Sequence, residues 1–224
     1  MIITISGLDG AGKSTQINRL TTRLVTDGRK VKYVWARGGY TPGFEFIKKC
    51  LRGLPGLKLA PRGHSVVREK QLRNPLIQKV WLIVAIFDLI LLWGLYVRIL
   101  SFLNISVFCD RYLNDTLLDF KQNFPAVDVE ELFLWKWLKY MTPQADCAFI
   151  FWVPVDISIE RSLEKGEPFP DKEEVLEWRL GFYMDEFLFP LDIYFRVDGR
   201  EEISKVTDKL YELIIKGSNR DCNL

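Results

Sequence analysis

Residues 7–15 have the sequence GLDGAGKST, which contains the pattern GxxxxGK[ST] between a predicted strand and a predicted helix. The glycines allow backbone N–H groups to turn inward around a polyphosphate, and the positive end of the following helix adds to the attraction. Lys13 is expected to reach the β- and γ-phosphates, and Ser14 to bind Mg²⁺. The residues predicted to hold the nucleotide here are Gly7, Gly10, Ala11, Gly12, Lys13, Ser14 and Thr15.

A second candidate is the pair Asp110-Arg111, which follows the apolar residues 105–109. In a parallel sheet, a carboxylate at the end of a strand lies at the carboxyl edge, where the phosphate loop also lies. We therefore predict that Asp110 anchors Mg²⁺ and that Arg111 binds a phosphoryl oxygen. The alternative is that the pair only caps the next helix.

The order of elements predicts an α/β fold. Helical patterns separate five short apolar strands, which implies a five-stranded parallel sheet flanked by helices. We find no internal repeat or linker, so residues 1–224 are expected to form a single domain. The predicted strands are Ile2–Ser6, Val31–Ala36, Ile105–Cys109, Cys147–Trp152 and Ile193–Val197.

The charges nearly cancel, with 31 Lys and Arg against 29 Asp and Glu, so no nucleic-acid partner is expected. Residues 48–79, here called the basic segment, contain nine Lys or Arg and one Glu. A solvated basic face is the default interpretation. The alternatives are recognition of a large anionic acceptor or contact with an anionic membrane surface.

Val80–Val97 is an 18-residue apolar run that contains a single charged residue, Asp88. It reaches the lower length limit of a transmembrane helix. A single crossing would separate the phosphate loop from Asp110, so we predict a helix buried in the core or in a subunit interface. A carboxylate in such a helix needs a partner, and we expect Asp88 to have one.

The remaining features indicate an intracellular protein. The four cysteines form no CxxC pair, and His64 is the only histidine, which argues against a zinc site and a disulfide framework. Met1 leads directly into the first apolar strand without a basic signal region, so we expect a cytoplasmic location. No NKxD motif is present, which argues against a GTPase.

Four segments together resemble the thymidylate kinases in order and spacing. They are GLDGAGKST at 7–15, RGGYTP at 37–42, DRY at 110–112 and PQADCAFIFWVPVDISIER at 143–161. The resemblance implies a P-loop nucleoside monophosphate kinase fold with a lid, ATP as donor, Mg²⁺ and a homodimer. It also implies an enzyme of nucleotide biosynthesis that converts dTMP to dTDP.

The resemblance further assigns roles to particular residues. Asp9 is expected to position the acceptor, and the loop with Arg37 and Tyr40 to contact the acceptor phosphate together with Arg111. The loop with Gly199 and Arg200 is expected to border the adenine. Catalytic roles therefore fall on Asp9, Lys13, Arg111 and, in the lid, Arg161.

The lid is expected over residues 161–172. In relatives with Gly at the position of Gly10, the lid supplies the cation that neutralises the transferring phosphoryl group. Arg161, Lys165 and Lys172 are the available cations, and Arg161 is the favoured one. The alternative is that these side chains form exposed helix salt bridges.

Three features of the acceptor side depart from the family pattern. The Glu-Pro after the second-strand Arg is absent, and Asp88-Leu89 stands where the family has Asp-Arg. Asp119-Phe120 lies in the region where the family has a base-reading Gln. Phosphoryl transfer from ATP is thus better supported than dTMP as acceptor. Another nucleotide, a sugar phosphate or a lipid-linked acceptor is an alternative, as is a nucleotide-binding protein without catalysis.

Overall fold

The computed structural model describes residues 1–38, 41, 43, 75–166 and 171–218. Its centre is a five-stranded parallel sheet with the strand order β2-β3-β1-β4-β5. The expected α/β architecture is therefore confirmed. The strands are β1 (Ile2–Gly7), β2 (Val31–Trp35), β3 (Ser106–Asp110), β4 (Cys147–Trp152) and β5 (Tyr194–Asp198).

Helices connect the strands and cover both faces of the sheet. A long helix begins at Pro75 as α2, continues through a π-helical stretch at Ile90–Val97 and ends as α3. The helices of the described residues are α1 (Lys13–Thr26), α2 (Pro75–Leu89), α3 (Arg98–Phe102), α4 (Leu113–Asn123), α5 (Phe133–Met141), α6 (Val155–Glu164), α7 (Glu173–Met184) and α8 (Ile203–Ser218).

The apolar core consists of two layers separated by the sheet. Successive side chains of a strand point to opposite faces. On β3, Val107 and Cys109 therefore pack with the long helix, whereas Phe108 packs in the other layer with α1 and α8. All six residues of β1 are buried, which explains their nearly continuous apolar sequence.

The long helix is buried on one side only. Its inner face packs against the sheet, α4 and α5 through residues such as Leu82, Leu89 and Trp93. Among the described residues, Ile77–Phe102 is the stretch long and apolar enough to cross a membrane, and half of its most apolar window is buried. The exposed face carries Ile77, Val80, Ile83, Phe87, Leu91, Leu95, Ile99 and Phe102.

Asp88 has the partner that its burial requires. Thr41 Oγ1 donates a hydrogen bond to Asp88 Oδ2, and Gly43 lies so close that a Cβ there would be 2.3 Å from Asp88 Oδ1. The contact ties the chain that follows β2 to the long helix. Tyr40 and most of the basic segment lie outside the described residues.

Candidate active site

The phosphate loop forms between the end of β1 and the start of α1. Gly7 has φ +132°, and a Cβ there would lie 1.9 Å from the Phe151 carbonyl oxygen, so no side chain fits. Gly10 and Gly12 also have positive φ, at +74° and +92°. This backbone turns the chain sharply into α1, which begins at Lys13. Its amino-terminal N–H groups can hold an anion.

Three charged side chains meet beside this loop. Lys13 Nζ donates hydrogen bonds to the carbonyls of Gly7, at 2.9 Å, and Leu8, at 2.6 Å. It lies 3.6 Å from Asp9 Oδ1. Arg111 Nη2 donates to the same carboxylate oxygen at 3.1 Å. Asp9 is thus held between two buried cations.

Arg111 adopts a rare backbone conformation directly after β3. Its φ is +71°, and its N–H donates to the Ile5 carbonyl of β1 at 2.9 Å. Such a conformation in a non-glycine residue costs energy and is often found at functional sites. Arg111 Nη1 is buried and has no hydrogen-bond partner among the described residues.

The side chains of Ser14 and Asp110 are suitable ligands for a Mg²⁺ ion that binds together with a nucleotide. Both line the cavity beside the phosphate loop, and Tyr33 donates a hydrogen bond to Asp110 Oδ2 at 2.8 Å. Within the described part of the chain, no three His, Cys, Asp or Glu side chains form a metal-binding cluster. Mg²⁺ is commonly held by one or two protein ligands together with phosphates and waters, and this donor set agrees with that pattern.

The cavity beside the phosphate loop has a volume of about 280 Å³ and brings most of the predicted site together. Trp35 and Lys165, which were not among the favoured site residues, also line it. Its lining residues are Asp9, Gly10, Ala11, Gly12, Lys13, Ser14, Trp35, Arg37, Asp110, Arg111 and Lys165.

A second cavity, of about 470 Å³, also borders the phosphate loop. Thr15, Gly199 and Arg200, which were predicted to contact the nucleotide, all line this cavity. Gly199 packs against the loop so closely that a Cβ would lie 2.4 Å from the Ala11 carbonyl oxygen. Arg200 is held by Asp198 and lies over the Trp152 ring.

Arg161 and Lys165, two of the cations in the predicted lid, occupy different places. Arg161 Nη1 donates to the carbonyls of Gly10, at 3.1 Å, and Gly199, at 3.0 Å, so it joins the phosphate loop to the loop after β5. Lys165 lines both cavities. Lys172 directly precedes α7, and residues 167–170 lie outside the described part of the chain.

Sequence reasoning missed a buried ionic cluster behind Arg37. The side chains of Arg37 and Arg179 both donate to the Asp119 carboxylate. Asp119 and Arg179 lie in the interiors of α4 and α7, 60 residues apart, and no local pattern connects them. The sequence did carry one indication of this cluster, because Asp119 places an acidic side chain among the apolar residues of α4 that are buried.

The cations around the site shift the pKa values of both aspartates. Burial alone would raise the pKa of Asp9, but Lys13 and Arg111, with smaller effects of Arg179 and Arg37, lower it to about 2. Burial likewise opposes ionisation of Asp119, but Arg37, Arg179 and Arg111 hold its pKa below the usual value. Both carboxylates are therefore ionised at neutral pH.

Comparison with known proteins shows a distant sequence likeness. No family model matches the chain. A thymidylate kinase from Bradyrhizobium sp. (strain ORS 278) is 27% identical over 182 residues, which cover 77% of this chain and 68% of that protein. The chain is thus similar in sequence to a thymidylate kinase, and its phosphate loop and parallel sheet agree with that likeness.

The low pKa of Asp9 predicts a pH-dependent loss of stability. The pKa of Asp9 is about 2 in the folded chain, against 3.8 for the same group in an unfolded chain. The ionised carboxylate therefore stabilises the fold above pH 4, and this stabilisation is lost as the pH falls towards 2. Asp9→Asn should therefore be less stable than wild type at pH 6, with a difference that shrinks by pH 2.5. Urea unfolding at both pH values measures it.

The control is Asp128→Asn, which changes an exposed carboxylate away from the site. It should follow the wild-type pH dependence throughout. A difference between Asp9→Asn and wild type that stays constant from pH 6 to pH 2.5 would contradict the assignment.

Proposed function

We propose that this chain is a cytoplasmic, homodimeric kinase that transfers the γ-phosphoryl group of ATP to a nucleoside monophosphate, with dTMP as the first candidate. One observation carries the proposal. Lys13 and Ser14 of the phosphate loop share a single cavity with Asp110, Arg111 and Arg37. Donor-binding and acceptor-binding groups thus lie within reach of one reacting phosphorus atom.

The residues around the phosphate loop can do the work that phosphoryl transfer needs. Such reactions pass through a loose transition state, so the protein contributes mainly positioning and charge stabilisation. The loop N–H groups and Lys13 bind the ATP phosphates, and Arg111 binds transferring or acceptor oxygens. Ser14 and Asp110 would hold Mg²⁺, which neutralises charge on the phosphates when it is bound.

Asp9 organises the cations between donor and acceptor. It accepts from Arg111 and lies beside Lys13, so it fixes both at the place where the two substrates meet. Its low pKa keeps it charged throughout the physiological pH range. A residue that is ionised in this way can also accept a hydrogen bond from a group of the acceptor.

A second candidate function, transfer from ATP to an acceptor other than dTMP, is favoured by Leu89. Leu89 lies at the position where the family has its second phosphate-binding arginine. It lies on the long helix and is fully buried in the apolar core. No cation is supplied from that position. Asp119, in the region where the family has a base-reading Gln, forms ion pairs with Arg37 and Arg179 instead. A different nucleotide or a sugar phosphate is the class to test next.

The contacts of the lid cations suggest a division of roles. The sequence favours Arg161 as the catalytic cation, but its guanidinium joins two backbone carbonyls of the donor side. Lys165 lines the cavity that also contains Arg111 and Lys13. We propose that Lys165 reaches the transferring phosphoryl group, whereas Arg161 holds the nucleotide-binding loops together.

The proposed homodimer is supported by the exposed face of the long helix. Ile77–Phe102 spans roughly 39 Å at 1.5 Å per residue. Its exposed apolar side chains recur every three or four residues, and Phe133, Trp137 and Tyr140 of α5 are exposed as well. Monomeric proteins rarely leave so large an apolar face uncovered. A second copy related by a twofold axis would cover it with an identical face.

Turnover by wild type and Lys13→Ala tests the kinase function. ADP release from MgATP is measured with a panel of nucleoside monophosphates, with a sample without acceptor as blank. We expect acceptor-dependent turnover by wild type and a loss of at least about 100-fold in Lys13→Ala, because a charge that binds the reacting phosphates is removed. Lys216→Ala, at an exposed lysine of α8, is the matched control.

The non-catalytic alternative gives a different result. If the chain only binds nucleotide, wild type releases no ADP with any acceptor, while Lys13→Ala weakens ATP binding.

Lys165→Gln and Arg161→Gln separate the two lid cations. We expect Lys165→Gln to lower kcat by about 100-fold with little change in the KM for ATP, because its charge acts on the transition state. Arg161→Gln should instead raise the KM for ATP and lower the thermal midpoint. The reverse pattern, with the kcat loss confined to Arg161→Gln, would restore the catalytic role to Arg161.

Sedimentation velocity tests the proposed dimer. Wild type should sediment as two chains, and the double variant Phe87→Glu/Leu95→Glu as one, because two charges enter the apolar face. Phe187→Glu places the same change at a residue that is 91% exposed and away from the long helix, and should stay dimeric. Monomeric wild type would refute the dimer, and binding to anionic vesicles in that case would indicate a lipid surface instead.

A further inference from the structure

Asp119 holds one edge of the Arg37 guanidinium. Arg37 Nε donates to Asp119 Oδ2 at 2.9 Å, and Arg37 Nη2 donates to Asp119 Oδ1 at 3.1 Å. This two-point geometry fixes both the position and the plane of a guanidinium. Asp119 is buried, with 4% of its side chain exposed, whereas 31% of the Arg37 side chain is exposed.

Arg179 supports the same carboxylate from the protein interior. Its Nη2 donates to Asp119 Oδ1 and, at 2.8 Å, to Gln122 Oε1. Its Nε lies 3.5 Å from Asp171 Oδ2, just before α7. Arg179 is itself buried. Asp119 is therefore fixed between two arginines, of which one is internal and the other lines the cavity with Arg111.

The arrangement is poorly explained as a source of stability alone. Removing two charges from water costs nearly as much as their attraction returns, so a buried ion pair is weak evidence for stability. What such a pair does provide is a defined orientation. Arg37 follows β2, a strand at the edge of the sheet, and its long side chain would otherwise sample many rotamers.

We propose that Asp119, supported by Arg179, is a positioning residue that aims the free edge of the Arg37 guanidinium at the phosphate of the acceptor. This inference rests on the proposed function, because Arg37 has an anion to bind only if the acceptor carries a phosphate. It adds two residues to the acceptor site that lie outside the phosphate loop and the Asp110-Arg111 pair. Neither residue needs to touch a substrate.

The proposal predicts a specific kinetic pattern. The acceptor phosphate that Arg37 grips keeps nearly the same charge in the ground state and the transition state. Loss of this contact weakens the binding of the ground state and of the transition state equally, which raises KM and leaves kcat nearly unchanged. Asp119→Asn should therefore raise the KM for the acceptor by about tenfold or more, while kcat and the KM for ATP change by less than about threefold.

A double-mutant cycle distinguishes positioning from a general effect on the fold. We measure the KM for dTMP, or for whichever monophosphate wild type turns over best, in Asp119→Asn, Arg37→Gln and the double variant. If Asp119 acts through Arg37, the double variant has nearly the KM of Arg37→Gln alone. KM increases that multiply in the double variant, or a fall in kcat with unchanged KM, would overturn the proposal.

Arg179→Lys covers the case in which Asp119→Asn fails to fold. Lysine keeps the charge beside Asp119 but cannot reproduce the contacts to both Asp119 and Gln122. A smaller rise in acceptor KM, with an unchanged thermal midpoint, is expected. An acceptor KM equal to that of wild type would contradict a supporting role of Arg179.

A measurement on the free protein separates this proposal from the proposed function. The arginine Nε–Hε signals in a ¹⁵N spectrum report which guanidiniums are held, and the Arg37 signal is assigned by its loss in Arg37→Gln. It should be sharp in wild type and broadened in Arg179→Lys. Absence of turnover by wild type with every acceptor refutes the kinase function. An Arg37 signal that stays sharp in Arg179→Lys refutes the positioning.

Discussion

The Asp9 carboxylate, held between Lys13 and Arg111, is the interaction on which the rest of the site depends. It joins the phosphate loop after β1 to the strand end of β3, which follows about 100 residues later in the chain. Two buried cations placed side by side would repel each other, and the carboxylate offsets that repulsion. The strained backbone at Arg111 and the glycine-rich turn at residues 7–12 both serve to bring these groups together.

Under the proposed function, the site has a donor half and an acceptor half. The proposed donor half consists of the phosphate loop and the loop after β5, which Arg161 and the tight packing of Gly199 hold together. The proposed acceptor half is built from residues that directly follow β2 and β3 and from Asp119 of α4, which Arg179 of α7 contacts. Among the described residues, the ion pairs of Asp119 with Arg37 and Arg179 lie beside the cavity that Trp35 and Arg111 also line.

Much of the fold could be predicted from the sequence because it is encoded locally. Short apolar strands, amphipathic helices and GLDGAGKST each carry their own pattern, and Asp110 could be placed because parallel strands end at one edge. The strand order depends on contacts between distant segments, and the sequence pattern alone did not specify it. The Asp119–Arg179 pair was missed for the same reason, since its members lie on two helices whose packing no local pattern reveals.

The central claim is that this site moves a phosphoryl group from ATP to a phosphorylated acceptor, and ³¹P NMR of the reaction mixture tests it most directly. With wild type, MgATP and dTMP, the account predicts that the γ-phosphate resonance of ATP declines while those of ADP and a new nucleoside diphosphate grow in equal amounts. Other monophosphates replace dTMP if it is inert. Growth of inorganic phosphate alone, or an unchanged spectrum with every acceptor, would contradict the account.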